Sequence, residues 1–286
     1  MTAIERITKI KNEIRIDPKL CIERARLYTA SYKSTEGQEP VIRRAKAVAE
    51  VLEEKAVIIN DGELIVGNPT SKRIAAPVLP EIAWEWYTKM MFGAPSDDED
   101  EGEGVLDEDE KKGFLEIDEY LKGRSLRDMW MAELPQEYTE LEYLSWMQGS
   151  GNPSAGYYFA HCVPDFERIL YKGISGMIAE VDAEMAKLDV TKLSDLHKKT
   201  YLKAIRITLE AVVVWAKRLS VKAAEMASAE TDPERKAELE KIAYICNKVP
   251  EKPAETFYEA MQSVWISYVA VMVEGWGPGI GFGRMD

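Results

Sequence analysis

The sequence predicts a mainly α-helical chain. Three observations carry that expectation: apolar residues recur at helical spacing over most of the length, start signals open several of those stretches, and strand-like alternation is nearly absent. "IDPKLCIERARLYTASY" predicts the first long helix. Asp17 stands at the N-cap, Pro18 at the first helical position, and Leu20, Ile22, Ala25, Leu27 and Tyr28 supply its apolar face. "PVIRRAKAVAEVLEEKAVII" predicts the second. Between it and the next helical pattern, Gly62, Gly67, Pro69 and Pro77 bracket a β-like run from Leu64 to Val66, a connector expected to hold one hairpin.

Further along, residues 96–104 form an acidic, low-complexity loop that runs into the acidic start of another helix, a placement the helix dipole favours. "EKKGFLEIDEYLKGRSLRDMW" reads as two short helices meeting at Gly123. The Gly- and Tyr-rich stretch "QGSGNPSAGYYFAHCVPD" predicts an irregular segment of the kind that often carries function. Two long helices are expected next, from Asp165 to about residue 188 and from about 193 to 229. The second has an apolar stripe through Ile205, Leu209, Val212, Val213 and Ala216. Asp232 and Pro233 open another helix. The last, in "KPAETFYEAMQSVWISYVAVM", is apolar nearly all round in its second half and must be buried.

At 286 residues the chain can bury a substantial core. Its apolar run Val264 to Val273 is about half the length a bilayer requires, and no apolar segment follows a basic start, so a cytoplasmic protein without membrane partners is expected. A net charge of −13 argues against a nucleic-acid partner, which would call for clustered Lys and Arg. Cys21, Cys162 and Cys246 are widely spaced and His161 and His197 are the only histidines, so neither a zinc site nor an iron–sulfur centre is expected. Cys21 and Cys246 read as core residues on helix faces, and His197 as a surface residue.

Six strings occur in an order that resembles the N-terminal part of the glycyl radical enzymes: "CIERARLYTASY", "DGELIVGNPTSKRIAAPVLPE", "YLKGRS", "PDFERIL", "ELEKIAYICNKVPEKPAETFYEAMQSVW" and "GFGRMD". The likeness is greatest to the glycerol dehydratase and pyruvate formate-lyase 2 branch and covers residues 5 to 286. It implies the N-terminal helical part and first strands of a ten-stranded α/β barrel, with 1–286 as one N-terminal pyruvate formate-lyase-like domain holding an incomplete barrel. It also implies a chemistry. A glycyl radical, installed by a separate S-adenosylmethionine iron–sulfur activating enzyme, generates a thiyl radical that abstracts hydrogen from a small substrate under anaerobic conditions. The family places the thiyl cysteine and radical glycine further along than this chain extends. The resemblance therefore implies a piece without catalytic residues of its own, binding no cofactor and completed by a complementary glycyl radical chain or missing segment.

Substrate-contacting positions also follow from the resemblance. His161 aligns where glycerol dehydratase-like enzymes have a histidine that hydrogen-bonds a substrate hydroxyl, and where pyruvate formate-lyase has a carboxylate-holding arginine. An imidazole lacks the bidentate fork a carboxylate favours, so pyruvate is not the expected substrate. Tyr157 and Asp165 flank His161 and join it as candidates. Pro278 and Gly279 stand where the diol-binding enzymes have a His-Ser pair. Their loss leaves a roomier, less polar wall, with Gly279 at its base and Trp276 and Phe282 as its aromatic sides. Two readings stand: part of a glycyl radical lyase, dehydratase or decarboxylase, or a stand-alone helical binding or scaffolding protein without catalysis.

Overall fold

A computed structural model of the chain describes residues 2–16, 19–92, 108–135, 137, 163–275 and 280–283. The acidic loop at 96–104 and the cap pair Asp17 and Pro18 lie outside them. Ten helices and one strand pair are described. In chain order they are α1 (Ala3–Glu13), β1 (Lys19–Cys21), α2 (Glu23–Ser34), α3 (Pro40–Glu54), β2 (Ala75–Pro77), α4 (Pro80–Phe92), α5 (Glu108–Leu121), α6 (Leu126–Glu133), α7 (Phe166–Met185), α8 (Leu193–Ala229), α9 (Pro233–Lys248) and α10 (Phe257–Glu274). Most of the expected helices form close to their expected ranges. Asp232 caps α9 by accepting from Glu234 N at 3.0 Å, and Thr256 and Glu259 close a capping box on α10. Gly123, at φ +70°, separates α5 from α6.

The body is built around α8, a helix about 55 Å long, against which α3, α9 and α7 pack. Its innermost line is Ala204, Ala211, Trp215, Leu219, Ala223 and Ala227. Of the expected stripe only Ala216 is fully buried, and Ile205, Leu209, Val212 and Val213 are half-buried. The small residues face inward because two helices must approach α8 closely at once. Trp215 fills the remaining space, fully buried among Val48, Val51, Leu52, Ile242 and Ile266. A second core forms where α2, α4 and α5 meet. There Trp84 stacks on Phe114 at 5.1 Å and its indole N–H donates to Asp118 Oδ1 at 2.8 Å.

Three expectations are corrected. The helix foreseen from Asp17 starts at Glu23, because Lys19–Cys21 is a strand paired in parallel with Ala75–Pro77. Cys21 is therefore a buried strand residue, not a helical one. Among the described residues the β-like run Leu64 to Val66 has no strand partner and makes no hairpin, since its backbone is bonded to helix side chains instead. The second helix stops at Glu54 and does not continue toward Ile59. Lys55 turns extended there and buries its ammonium against the carbonyl of Asn68.

Two packing details position the later chain. Gly173, at φ +66° and ψ 167°, breaks α7 where Ile174 N and Ser175 N donate to Pro250 O and Glu251 O at 2.8 and 3.0 Å. A Cβ there would lie 2.5 Å from Glu251 O. At the other extreme of design, α1 turns its charges inward. Arg6 pairs with Glu238, Lys9 with Asp61 and Glu13 with Arg73, while Ile4 and Ile7 face solvent at 78% and 64% exposure.

Gly173→Ala is expected to lower unfolding free energy by roughly 2–3 kcal/mol in urea titration, from a glycine-only backbone conformation and a backbone clash. Gln262→Leu tests the bonds to the run at Val66. It keeps volume but strips partners from a buried N–H and C=O, and a loss of roughly 3 kcal/mol is expected in the same assay.

Candidate functional site

Two segments that the sequence singled out meet in the fold. The first is the start of α7, residues Val163 to Phe166; the second is Ile280 to Gly283, beyond the end of α10. Asp165 is the N-cap of α7, accepting from Arg168 N at 3.1 Å, and its side chain is at the surface. Phe166, buried, stacks on Phe282 with ring centroids 6.2 Å apart. Phe282 stacks in turn on Tyr268 at 4.4 Å, and Tyr268 on Trp265 at 5.7 Å. Offset stacks of this spacing add to the area they bury. Gly283, at φ +66°, brings the two segments together: a Cβ there would lie 2.9 Å from Val163 Cγ1.

The aromatic ladder ends on a buried polar strip. Trp265 Nε1 donates to Gly67 O at 2.9 Å, and the next carbonyl, Asn68 O, accepts from Lys55 Nζ. Lys55 also lies over the Trp215 ring at 4.7 Å. Burial, offset in part by the nearby Glu23 carboxylate, lowers the Lys55 pKa from 10.5 to about 8. Its ammonium is occupied by a carbonyl and an aromatic face, so this amine anchors the strip beneath the site. The two described cysteines are core residues. Cys21 Sγ lies 3.2 Å from Ser71 Oγ, and burial pushes the Cys246 thiol up to about 12, which leaves it protonated and unreactive at neutral pH.

Of the sequence-predicted positions, Asp165 and Phe282 are described, on the two segments that meet. Tyr157, His161, Trp276 and Gly279 lie outside the described residues, as does Cys162. His197 is exposed on α8. Sequence reasoning missed Phe166, Tyr268 and Trp265, and their only signal was the aromatic pair three residues apart in "WISY". Among the described residues no three His, Cys, Asp or Glu side chains converge as metal donors, and no helix is long and apolar enough to cross a membrane.

The deciding comparison is with families. The pyruvate formate lyase-like model matches residues 1–286. The chain belongs to this family. It is 34% identical, over 94% of its length, to 33% of the isethionate sulfite-lyase of Oleidesulfovibrio alaskensis. Among solved structures, it superposes with a TM-score of 0.86 and 29% identity on the glycerol-bound form of the B12-independent glycerol dehydratase from Clostridium butyricum, covering 99% of this chain and 36% of that one. A glycyl radical enzyme from Archaeoglobus fulgidus gives a TM-score of 0.82 and 31% identity, with coverages of 98% and 35%. The chain thus spans about a third of the length of the relatives it matches, as an N-terminal portion of a glycyl radical enzyme.

Lys55 makes a pH-dependent contribution whose sign follows from its lowered pKa. Between about pH 8 and 10.5 the unfolded chain holds a proton on this lysine that the folded chain has released, so stability rises with pH. Below that window the full burial cost of the charge is present. Measured by urea titration at pH 8 and 10, the wild-type chain is expected to gain on the order of 2 kcal/mol relative to Lys55→Met across the window. Parallel curves for the two proteins would overturn this role.

Proposed function

We propose that this chain is the substrate-wall portion of a glycyl radical lyase or dehydratase acting on a small hydroxylated or otherwise polar organic molecule. The observation that carries the reading is the contact of Phe166 and Val163 with Phe282 and Gly283. It joins the segment that follows His161 to the segment that follows Gly279, two places where the family contacts substrate. Family membership and the overlap with lyases and dehydratases support the reaction class.

In this reading the chain's own residues bind and orient, and none of them carries the radical. His161 donates to or accepts from a substrate hydroxyl, as an imidazole can. Tyr157 and Asp165 join it as candidates, and Trp276, Gly279 and Phe282 are the candidates for an aromatic, less polar wall. A wall of this composition favours a substrate bulkier or less hydroxylated than glycerol, because it offers few groups to pair with buried hydroxyls. The thiyl cysteine and radical glycine are supplied by the polypeptide that completes the ten-stranded barrel, whether as a second chain or as more of the same one. A separate S-adenosylmethionine iron–sulfur enzyme installs the radical. The cytoplasm of an anaerobic cell suits such an enzyme.

The test is native mass spectrometry of the protein isolated without oxygen from its own host, followed by turnover assays with isethionate, glycerol and pyruvate after activation. A species about three times this chain's length, or a stable complex of that size, is expected, with pyruvate left unconverted. A lone, soluble monomer of this chain would overturn the reading and leave a non-catalytic binding protein.

A further inference from the structure

The last turn of any helix leaves carbonyls without intrahelical partners. At the end of α10 the last two of these carbonyls are held by side chains. Val273 O accepts from Arg24 Nε at 2.7 Å. Glu274 O accepts from Arg24 Nη2 at 3.1 Å and from Arg44 Nη2 at 3.3 Å, and the Glu274 carboxylate accepts from Arg44 Nε at 2.6 Å. Two guanidinium groups, one from α2 and one from α3, thus close on the same helix end. Cations there also match the negative pole of the helix dipole.

Arg24 is the deeper of the two, at 2% exposure. Its charge is matched by a fork-to-fork pair with Glu81 in the first turn of α4, at 3.0 and 2.6 Å, and its plane lies 4.8 Å from the centre of the Tyr28 ring. A fourth direction is used by Val78 O, at 3.4 Å. Buried pairs of this kind contribute little net stability compared with apolar side chains of similar volume, because desolvation offsets their attraction. What they fix is direction. Arg24 ties the exit of α10 to α2, to the residue after β2 and to α4, and Arg44 adds α3.

We propose that Arg24 and Arg44 are positioning residues for the site: together they set the direction in which Gly275 leaves α10, and so the register of Ile280–Gly283 against Val163, Phe166 and Tyr268. The inference that this register sets specificity rests on the proposed function; the clamp itself does not. Phe282 lies only eight residues beyond Glu274 and stacks on rings of both α7 and α10.

The test is hydrogen exchange by mass spectrometry on the chain as it exists, comparing wild type with Arg24→Lys and Arg44→Met. Lysine keeps a cation opposite Glu81 but loses the fork, and Arg44, whose side chain is 27% exposed, gives a second variant at a less buried position. Amides of Gly275 and of Ile280 to Gly283 are expected to exchange about ten-fold faster, with those of α8 unchanged. No change at Gly275 and Ile280 to Gly283, or an equal acceleration in α8, would overturn the clamp. In the activated enzyme, the same variants are expected to raise KM about ten-fold with kcat nearly kept. A loss carried by kcat alone would overturn the specificity role. An activated wild type that turns over no polar substrate would instead overturn the proposed function and leave the exchange result standing.

Discussion

The fold depends on how one extended stretch of backbone is satisfied inside a helical body. From Asn60 to Asn68 the chain runs beside α9, α10 and the Trp215 ring of α8, and no described strand pairs with it. A buried peptide group without a partner is costly. Side chains provide the partners. Arg235 donates to Asn60 O and Glu63 O, Arg6 to Gly62 O, Tyr258 to Leu64 O, Gln262 to Val66 O, Trp265 to Gly67 O and Lys55 to Asn68 O. Gln262 also accepts from Val66 N at 2.9 Å, so its amide behaves as a neighbouring strand would. Tyr258, Gln262 and Trp265 lie along one face of α10, and that face reads the stretch as a ladder. Burial raises the Tyr258 pKa to about 12, which keeps its hydroxyl a donor throughout the neutral range.

This ladder explains why the site is where it is. Trp265 is both the last rung and the first ring of the aromatic series that ends at Phe166. The backbone stretch and the candidate wall are thus two sides of one helix, α10, whose far end is gripped by the two arginines. Two of the strings that carry the family resemblance, "DGELIVGNPTSKRIAAPVLPE" and "ELEKIAYICNKVPEKPAETFYEAMQSVW", contain the two halves of the ladder. Their chemistry is structural, although they border a site.

Much of the helical order was legible because caps and periodicity are local. Asp232, Pro233 and Thr256 announce their helices within four residues. The failures have distant causes. Leu20 and Ile22 suit either a helix face or a strand, and only the pairing of Lys19–Cys21 with residues 56 positions away selects the strand. The extended character of Leu64 to Val66 was legible, but its partners were not, since a glutamine, a tyrosine and a tryptophan on a helix carry no strand signature. The bend at Gly173 is set by Glu251 and Lys252, which sequence reading cannot bring near it. For the site, the resemblance named Phe282 and Asp165, whereas Tyr268 and Trp265 sit in a run so apolar that burial alone accounted for them.

The inward-facing charges of α1 give the two ends of the molecule opposite responses to their surroundings. The central bundle is held by apolar burial, which excluded salts such as sulfate strengthen. The N-terminal helix is held at a partly exposed seam by Arg6, Lys9 and Glu13, whose attractions are screened within a few ångströms as ionic strength rises. Concentrated salt therefore tightens the core while loosening the helix that clasps it, and the clasp presents its isoleucines to whatever lies outside.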